Sequence, residues 1–392
     1  MTHSTTRRGW LALSVIPVAL AIALTSCASG SVSGGTSSPS ASKSGQDFSS
    51  IIPKTDIVAF SKTLVNASLN ATKGFTPEST GPKAQKAGAH VAFVGSDLTN
   101  GGVNTVLSGV QEAAKKIGWT VDVYDGKATA QGRTDAMNQA VAGQPAAIIA
   151  GGFDATEQAA AITTATTAKI PVIGWHAAAA AGPSNGLFTN VTTNPLVVSQ
   201  LAAAYAVADS NGKAGVAIFT DGQYQIAVEK ADAMKAYIQA CTGCKVLSYQ
   251  DSPIAEADQR MPGIISNLLQ QNGDKLTYLL AINGNYFGGA QSALRDAGKK
   301  PAGPPKSVAA GDGDSAEFKR IRSVDYQAAT VAEPLILQGW QLIDEVNRAV
   351  AGQKPSTFVA APGLITAKNV PSGDVFDPAS GYRDVFQKVW GK

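Results

Sequence analysis

Polar and aromatic side chains recur where the apolar segments of this chain end. They are Ser96, Asp97 and Asn100; Phe153 and Asp154; Trp175 and His176; Gln223 and Tyr224; Asn283, Asn285 and Tyr286; Asp312; and Glu333. Amides and carboxylates offer fixed hydrogen bonds, and flat rings offer stacking faces, so together they suit a polyhydroxylated ligand. An anion would instead need Arg or Lys in these loops, which carry almost none. The set predicts a site for a small neutral molecule with many hydroxyls.

The same residues contain no recognisable catalytic set. The sequence lacks GxSxG, HExxH and Walker motifs, and Gly101-Gly102 lacks the GxGxxG spacing of a dinucleotide site. Asp312-Gly313-Asp314 is more typical of a turn than of a metal site, although a ligand hydrogen bond from Asp312 is a third option. The three histidines have no spaced zinc partners. We therefore expect no enzyme activity, no cofactor and no metal.

The amino terminus has the order of a secretory signal. Arg7 and Arg8 precede an uncharged, mostly apolar run over 10–24, and Leu-Thr-Ser-Cys ends at Cys27. The run is shorter than the roughly 18 apolar residues of a membrane-spanning helix. The last four residues resemble the bacterial lipobox, which implies lipidation at Cys27. The arginine pair is also faintly similar to a twin-arginine signal.

The two other cysteines follow a predicted helix. Cys241 and Cys244 stand after the helix that ends near Ala240, so the positive end of the helix dipole is not available to lower a thiol pKa. An exported protein lies in a compartment that permits disulfides. A structural Cys241–Cys244 disulfide is therefore favoured over a redox pair or a zinc site.

Strand-like and helix-like segments alternate from His90 almost to the end of the chain. The first unit has a buried strand over Val91–Val94, a polar loop over Gly95–Gly102 and an amphipathic helix that Gly118 closes. Such alternation predicts parallel sheets with helices on both faces, and the number of strands indicates two lobes. The 44% of hydrophobic residues can form a sizeable core, and a net charge of +3 is too small for nucleic-acid binding.

Several segments together resemble a known family. They include VAFVGSDLTNGGVNTVLSGVQEAAKKIGWTVDVYDG, PAAIIAGGFDA, KIPVIGWHA, LLAINGNYFGGAQSALRDAG and AAGDGD, spread between His90 and Val359. In this order they are similar to the type I periplasmic sugar-binding proteins of ABC importers, close to the ribose-binding branch. The resemblance implies two doubly wound α/β lobes joined by a three-segment hinge that close on a sugar.

The resemblance also implies domain boundaries. The crossings should lie near Asn190–Asn194, Ala332–Pro334 and Ser356–Gly363. The expected organisation is a lipoprotein signal at 1–27, a flexible tether with an amino-terminal helix at 28–89, a first lobe at 90–193 and 334–357, and a second lobe at 194–333 and 358–392.

The resemblance covers only part of the site. Asn100, Asn283 and Asp312 match family positions that bind sugar hydroxyls, and Glu333 stands where a glutamine is common. Gly102 and Val103 replace an aromatic pair that usually stacks on the sugar. Trp175 is then the best candidate for a stacking face, with the alternative that it only fills the core. A sugar alcohol is as plausible a ligand as a monosaccharide.

Taken with the signal segment, the resemblance implies an extracytoplasmic, lipid-anchored solute receptor of an ABC importer. It would deliver a monosaccharide or sugar alcohol to a membrane permease and its ATPase, as a monomer that contacts the membrane through its lipid only. An alternative is a sensory receptor that presents a sugar-like signal to a membrane kinase or chemoreceptor. The signal segment and the absence of a DNA-binding motif exclude a repressor, and no nucleic-acid partner is expected.

Overall fold

The computed structural model describes residues 47–70 and 77–392. The predicted signal segment and Cys27 lie outside the described residues. Helix α1 (Ile57–Asn70) is the predicted amino-terminal helix, and it packs against a helix of the second lobe. Within the described part of the chain, no helix is both long enough and apolar enough to span a membrane.

The first lobe is built on a five-stranded parallel sheet. Its spatial order is β2-β1-β3-β4-β5, and most of its strands are buried on both faces, as expected for a sheet covered by helices. Asn100 caps the first turn of α2, and Gly118 ends that helix with a φ of 89°. The elements are β1 (His90–Gly95), α2 (Gly101–Ile117), β2 (Thr120–Asp125), α3 (Ala130–Ala142), β3 (Ile148–Gly151), α4 (Ala159–Thr167), β4 (Val172–Trp175) and β5 (Thr189–Val191).

The second lobe is built on a six-stranded sheet of order β11-β10-β9-β8-β6-β7. Neighbouring strands of this sheet pair in parallel, except that β11 runs antiparallel to β10. The elements are α5 (Pro195–Asp209), β6 (Gly215–Thr220), α6 (Gln225–Ala240), β7 (Lys245–Asp251), α7 (Ala257–Asn272), β8 (Tyr278–Ala281), α8 (Tyr286–Asp296), β9 (Lys306–Ala309), α9 (Ser315–Arg322), β10 (Gln327–Ala332) and β11 (Gly363–Thr366).

The chain crosses between the sheets in three hinge segments. It leaves the first sheet after β5, returns after β10 into α10 (Leu335–Val350), and leaves again before β11. Helix α10 packs on α2 so closely that a Cβ on Gly339 would lie 2.5 Å from the backbone of Gly109. The predicted fold class, two doubly wound lobes with a three-segment hinge, is confirmed.

The carboxyl-terminal helix contradicts one predicted boundary. Helix α11 (Tyr382–Trp390) packs on α10 and α2 of the first lobe, so the assignment of the whole of 358–392 to the second lobe is wrong. The Trp390 ring lies parallel to that of Trp340 with centroids 5.6 Å apart, and its Nε1 donates to Asp344 Oδ1 at 2.8 Å. The apolar stripe of α11 covers this aromatic surface, so the chain crosses between lobes a fourth time over 367–381.

The predicted disulfide joins Cys241 and Cys244, whose Cα atoms are 5.3 Å apart. Both cysteines are buried, and Cys241 follows the last residue of α6, where its backbone N–H donates to the Ile238 carbonyl. The pair therefore closes the turn between α6 and β7.

The position of α11 generates a stability prediction. We expect Trp390→Ala to lower the free energy of unfolding by about 3–5 kcal/mol, because it removes a fully buried ring and leaves a cavity beside Trp340. Calorimetric melting checks this result, with the exposed Lys388→Ala on the same helix as control. Equal melting temperatures for both variants would contradict the packing of α11 on the first lobe.

Candidate ligand-binding site

A small cavity lies between the lobes, at the carboxyl ends of strands from both sheets. This is the edge at which ligands bind in open α/β sheets. Its volume is about 70 Å³. It is lined by Ser96, Asp97, Asn100, Val103, Ala128, Gly152, Trp175 and His176 of the first lobe and Tyr224, Ile226, Ala227, Lys230, Ile254, Ala255, Ile282, Asn283 and Asp312 of the second.

The Glu333 carboxylate lies at the hinge beside this cavity and joins the two lobes. His176 Nε2, from the first lobe, is 3.0 Å from Glu333 Oε2. Lys230 Nζ, from α6 of the second lobe, donates to Glu333 Oε1 at 3.0 Å. Burial by itself would raise the pKa of Glu333, but the Lys230 ammonium and the His176 ring hold that pKa well below its usual range. The three side chains form a buried ion cluster across the hinge.

Trp175 lies at the first-lobe wall of the cavity and is also packed into the core of that lobe. Its indole Nε1 donates to Gln338 Oε1 at 2.8 Å, and its ring stacks on His176 with centroids 4.2 Å apart. Only 1% of the residue is exposed. Stacking of a ligand on Trp175 stays a prediction, because the residue lines the cavity as well as packing in the core.

Asp312 presents an unpartnered carboxylate to the cavity. It is 8% exposed, and its side chain accepts no hydrogen bond from any described residue. Burial raises the pKa of Asp312 to about 6, with Lys230 opposing the shift and Glu333 adding to it. Its φ of 60° and the φ of 49° at His176 place both residues in the left-handed region, a strained conformation for non-glycine residues that is frequent at functional sites.

Two amides extend this polar surface, one from each lobe. Asn100 Oδ1 accepts from Gly102 N at 2.9 Å, and Asn283 Oδ1 accepts from Asn285 N at 3.2 Å. In both residues the oxygen is used to fix the side chain, and the Nδ2 group donates to no described residue. The site therefore combines one acceptor, the Asp312 carboxylate, with amide donors on opposite sides of the cleft.

The structure brings most, but not all, of the predicted residues to the cavity. Ser96, Asp97, Asn100, Trp175, His176, Tyr224, Asn283 and Asp312 line it. Phe153 and Tyr286 are fully buried in the cores, and the Tyr286 hydroxyl donates to the Ser252 carbonyl at 2.8 Å. Asp154, Gln223, Asn285 and Glu333 are not among the lining residues.

Asp154 forms a hydrogen bond between the two lobes beside the cavity. Its Oδ2 accepts from the backbone N–H of Gln225 in the second lobe at 2.9 Å. Nearby, the Arg133 guanidinium lies 5.7 Å from the centre of the Tyr224 ring and pairs with Glu157 at 2.7 Å. The contacts of Asp154 with Gln225 and of Arg133 with Tyr224 hold the two lobes together on one side of the cleft.

Lys230 was not among the predicted residues. The sequence carried a signal for it, because Lys230 lies four residues after Ile226 and four before Met234, both buried on the same face of α6. A lysine in an apolar stripe indicates a buried partner, and here that partner is Glu333.

His176, Asp312 and Glu333 also have the spacing of a cation site, since one ligand atom from each lies within 4.8 Å of the others. However, the Lys230 ammonium already contacts Glu333. A divalent ion would add a second positive charge next to it, which low-dielectric surroundings make costly. The arrangement thus favours the built-in ammonium over a metal.

Comparison with known proteins identifies the family. Residues 91–354 match the model of the periplasmic binding protein domain. The chain belongs to this family. The resemblance drawn from the sequence segments is confirmed at this level. No curated protein sequence matches the chain significantly.

Solved structures share the fold at low sequence identity. An ABC transporter solute-binding protein from Agrobacterium vitis, bound with alpha-D-tagatopyranose, is 17% identical with a TM-score of 0.65, over 74% of this chain and 99% of that one. A sugar ABC transporter protein from Yersinia enterocolitica is 18% identical with a TM-score of 0.64, over 81% and 100%. A 5-methylthioribose transporter solute-binding protein from Thermotoga lettingae is 16% identical with a TM-score of 0.64, over 78% and 94%.

The ion cluster generates a double-variant prediction. We expect Lys230→Met to lower the free energy of unfolding by roughly 3 kcal/mol, since the buried Glu333 loses its ammonium partner. Adding Glu333→Gln should recover most of that loss, because the carboxylate that lost its ammonium partner is then replaced by a neutral amide. Urea unfolding of both variants checks this. Additive losses in the double variant would show that Lys230 and Glu333 do not act as a pair.

Proposed function

We propose that this chain is the solute receptor of an ABC importer that captures a monosaccharide or sugar alcohol between its lobes. The observation that carries the proposal is the unpartnered Asp312 carboxylate, buried in a cavity between the lobes and flanked by amides from both. Adjacent hydroxyls of a polyol can donate to the two carboxylate oxygens, and such charge-assisted hydrogen bonds are stronger than neutral ones.

The charge balance of the site supports a neutral ligand. The positive charge of the Lys230 ammonium is already balanced by the Glu333 carboxylate, so a bound anion would leave the site with an excess of negative charge. The remaining carboxylate of Asp312 would repel an anionic ligand directly. Hydroxyls satisfy both the carboxylate and the free amide groups of Asn100 and Asn283 without adding a buried charge.

A ligand in this position would stabilise the closed arrangement of the lobes, since it contacts both at once. Three solved structures with the same fold are complexes with a sugar or sugar derivative: tagatopyranose, D-arabinose and 5-methylthioribose. These complexes support the proposed ligand class. Delivery to a membrane permease and its ATPase, by a monomer lipidated at Cys27 on the outer side of a cell membrane, completes the proposed role.

A binding screen tests this proposal. At about 100 times its dissociation constant, a true ligand should stabilise the protein by about 2.7 kcal/mol in a thermal shift against D-tagatose, D-arabinose, xylitol and erythritol. Asp312→Asn should weaken binding by about ten- to a hundredfold, the equivalent of losing a charged hydrogen bond. The exposed Asp296→Asn is the matched control. Binding that survives Asp312→Asn unchanged would place the site elsewhere.

The proposal also predicts a pH dependence. Because burial raises the pKa of Asp312 to about 6, acidification from about pH 7.5 to 5 protonates the acceptor, and the affinity for a polyol should fall. Lys230 from α6, Glu333 and His176 beside the hinge, and Asp314 from the same loop are the charged or titratable groups nearest to it.

Calorimetric titrations across this range check the pH dependence. Asp312→Asn should bind weakly and with little change over the same interval. An equally steep fall in that variant would assign the dependence to another group. Stability without ligand should move in the opposite direction and rise as the pH falls from about 6 towards 4, because only the folded chain takes up this proton there.

A further inference from the structure

The first turn of α2 touches the second lobe through two glycines. A Cβ on Gly101 would lie 2.0 Å from Asp314 Oδ2, and a Cβ on Gly102 would lie 2.7 Å from the carboxylate carbon of Asp312. Both aspartates belong to the loop after β9. No real Cβ makes contacts this short, so any other residue at 101 or 102 would force the lobes or these side chains to shift.

The charges at this contact are complementary. Helix α2 has 17 residues, and its amino terminus carries partial positive charge from aligned peptide dipoles. Asp312 and Asp314 bring two carboxyl groups to that end. Asp314 is held firmly, since its Oδ1 accepts from Glu317 N at 2.9 Å in a capping box that begins α9. We call this contact, made of Gly101, Gly102, Asp312 and Asp314, the glycine seat.

The glycine seat brings the lobes together beside the cavity. The cavity volume of about 70 Å³ is far below the roughly 300 Å³ at which pockets for drug-sized ligands begin. Trp175, the large aromatic residue at its first-lobe wall, is 1% exposed. A ligand enclosed in a cleft of this size must therefore be small and held by several hydrogen bonds.

We propose that Gly101 and Gly102 are specificity-determining residues, which let the second lobe seat on α2 and restrict the cleft to sugars or polyols of four or five carbons over the larger hexoses. This inference rests on the proposed function for the identity of the ligand. The lobe contact itself can be tested without any ligand.

The first experiment measures the distance between the lobes in the unliganded full chain. Spin labels at the exposed positions Gln111 on α2 and Lys319 on α9 report it by pulsed electron resonance. Gly101→Ala should shift the distribution to longer distances. The control is Gly263→Ala within α7, where an added Cβ meets nothing within 4 Å. Identical distributions for Gly101→Ala, the control and the unsubstituted chain would overturn the glycine seat.

The second experiment compares ligands by calorimetry. The unsubstituted chain should bind erythritol or xylitol more tightly than D-tagatose or D-galactose. Gly101→Ala should reduce this preference by about tenfold, the equivalent of losing a favourable helix-terminus contact. Tighter binding of the two hexoses by the unsubstituted chain, or an unchanged preference in Gly101→Ala, would overturn the size restriction while the proposed function stands. Failure to bind any of the four would overturn the proposed function, and the distance measurement would still decide on the seat.

Discussion

The buried carboxylate of Glu333 is the interaction on which the arrangement of the two lobes depends. It is 1% exposed, and it stays ionised because a lysine from one lobe and a histidine from the other approach its two oxygens. A buried charge with one partner missing is strongly destabilising, so the cluster favours conformations in which His176 and Lys230 both reach the hinge. The second crossing segment, which contains Glu333, therefore links the two lobes through side-chain contacts as well as through its backbone.

The same cluster determines what the cavity can bind. With Lys230 and His176 directed to Glu333, Asp312 remains as the carboxylate that faces the cavity without a protein partner. The left-handed backbone at His176 and Asp312 places both side chains against the cleft. Selectivity for a neutral polyol and closure of the lobes therefore have a common origin, since both follow from how these few buried charges are paired.

Sequence patterns were sufficient for the fold and for part of the site. The 3.6-residue periodicity of α2 and the runs of apolar strand residues predicted two parallel-sheet lobes, and the polar strand ends predicted Asn100, Asn283 and Asp312. The patterns did not place α11, because an amphipathic stripe such as that of Tyr382 to Trp390 shows that a helix packs but not on which surface.

The sequence patterns also did not predict how individual side chains of the site are oriented. The sequence did not show how the Trp175 side chain at a strand end is held, because its hydrogen bond to Gln338 and its stacking on His176 depend on the tertiary structure. Glu333 stands at a family position where a glutamine is common, but its partner Lys230 is distant in sequence, and pairing across 103 residues leaves no local pattern.

The most direct test of the central claim is a crystal structure of the protein grown with xylitol or D-arabinose. We predict one ligand between the lobes, with two hydroxyls on the Asp312 carboxylate and amide contacts from Asn100 and Asn283. A ligand bound to one lobe only, away from Asp312, would contradict the account.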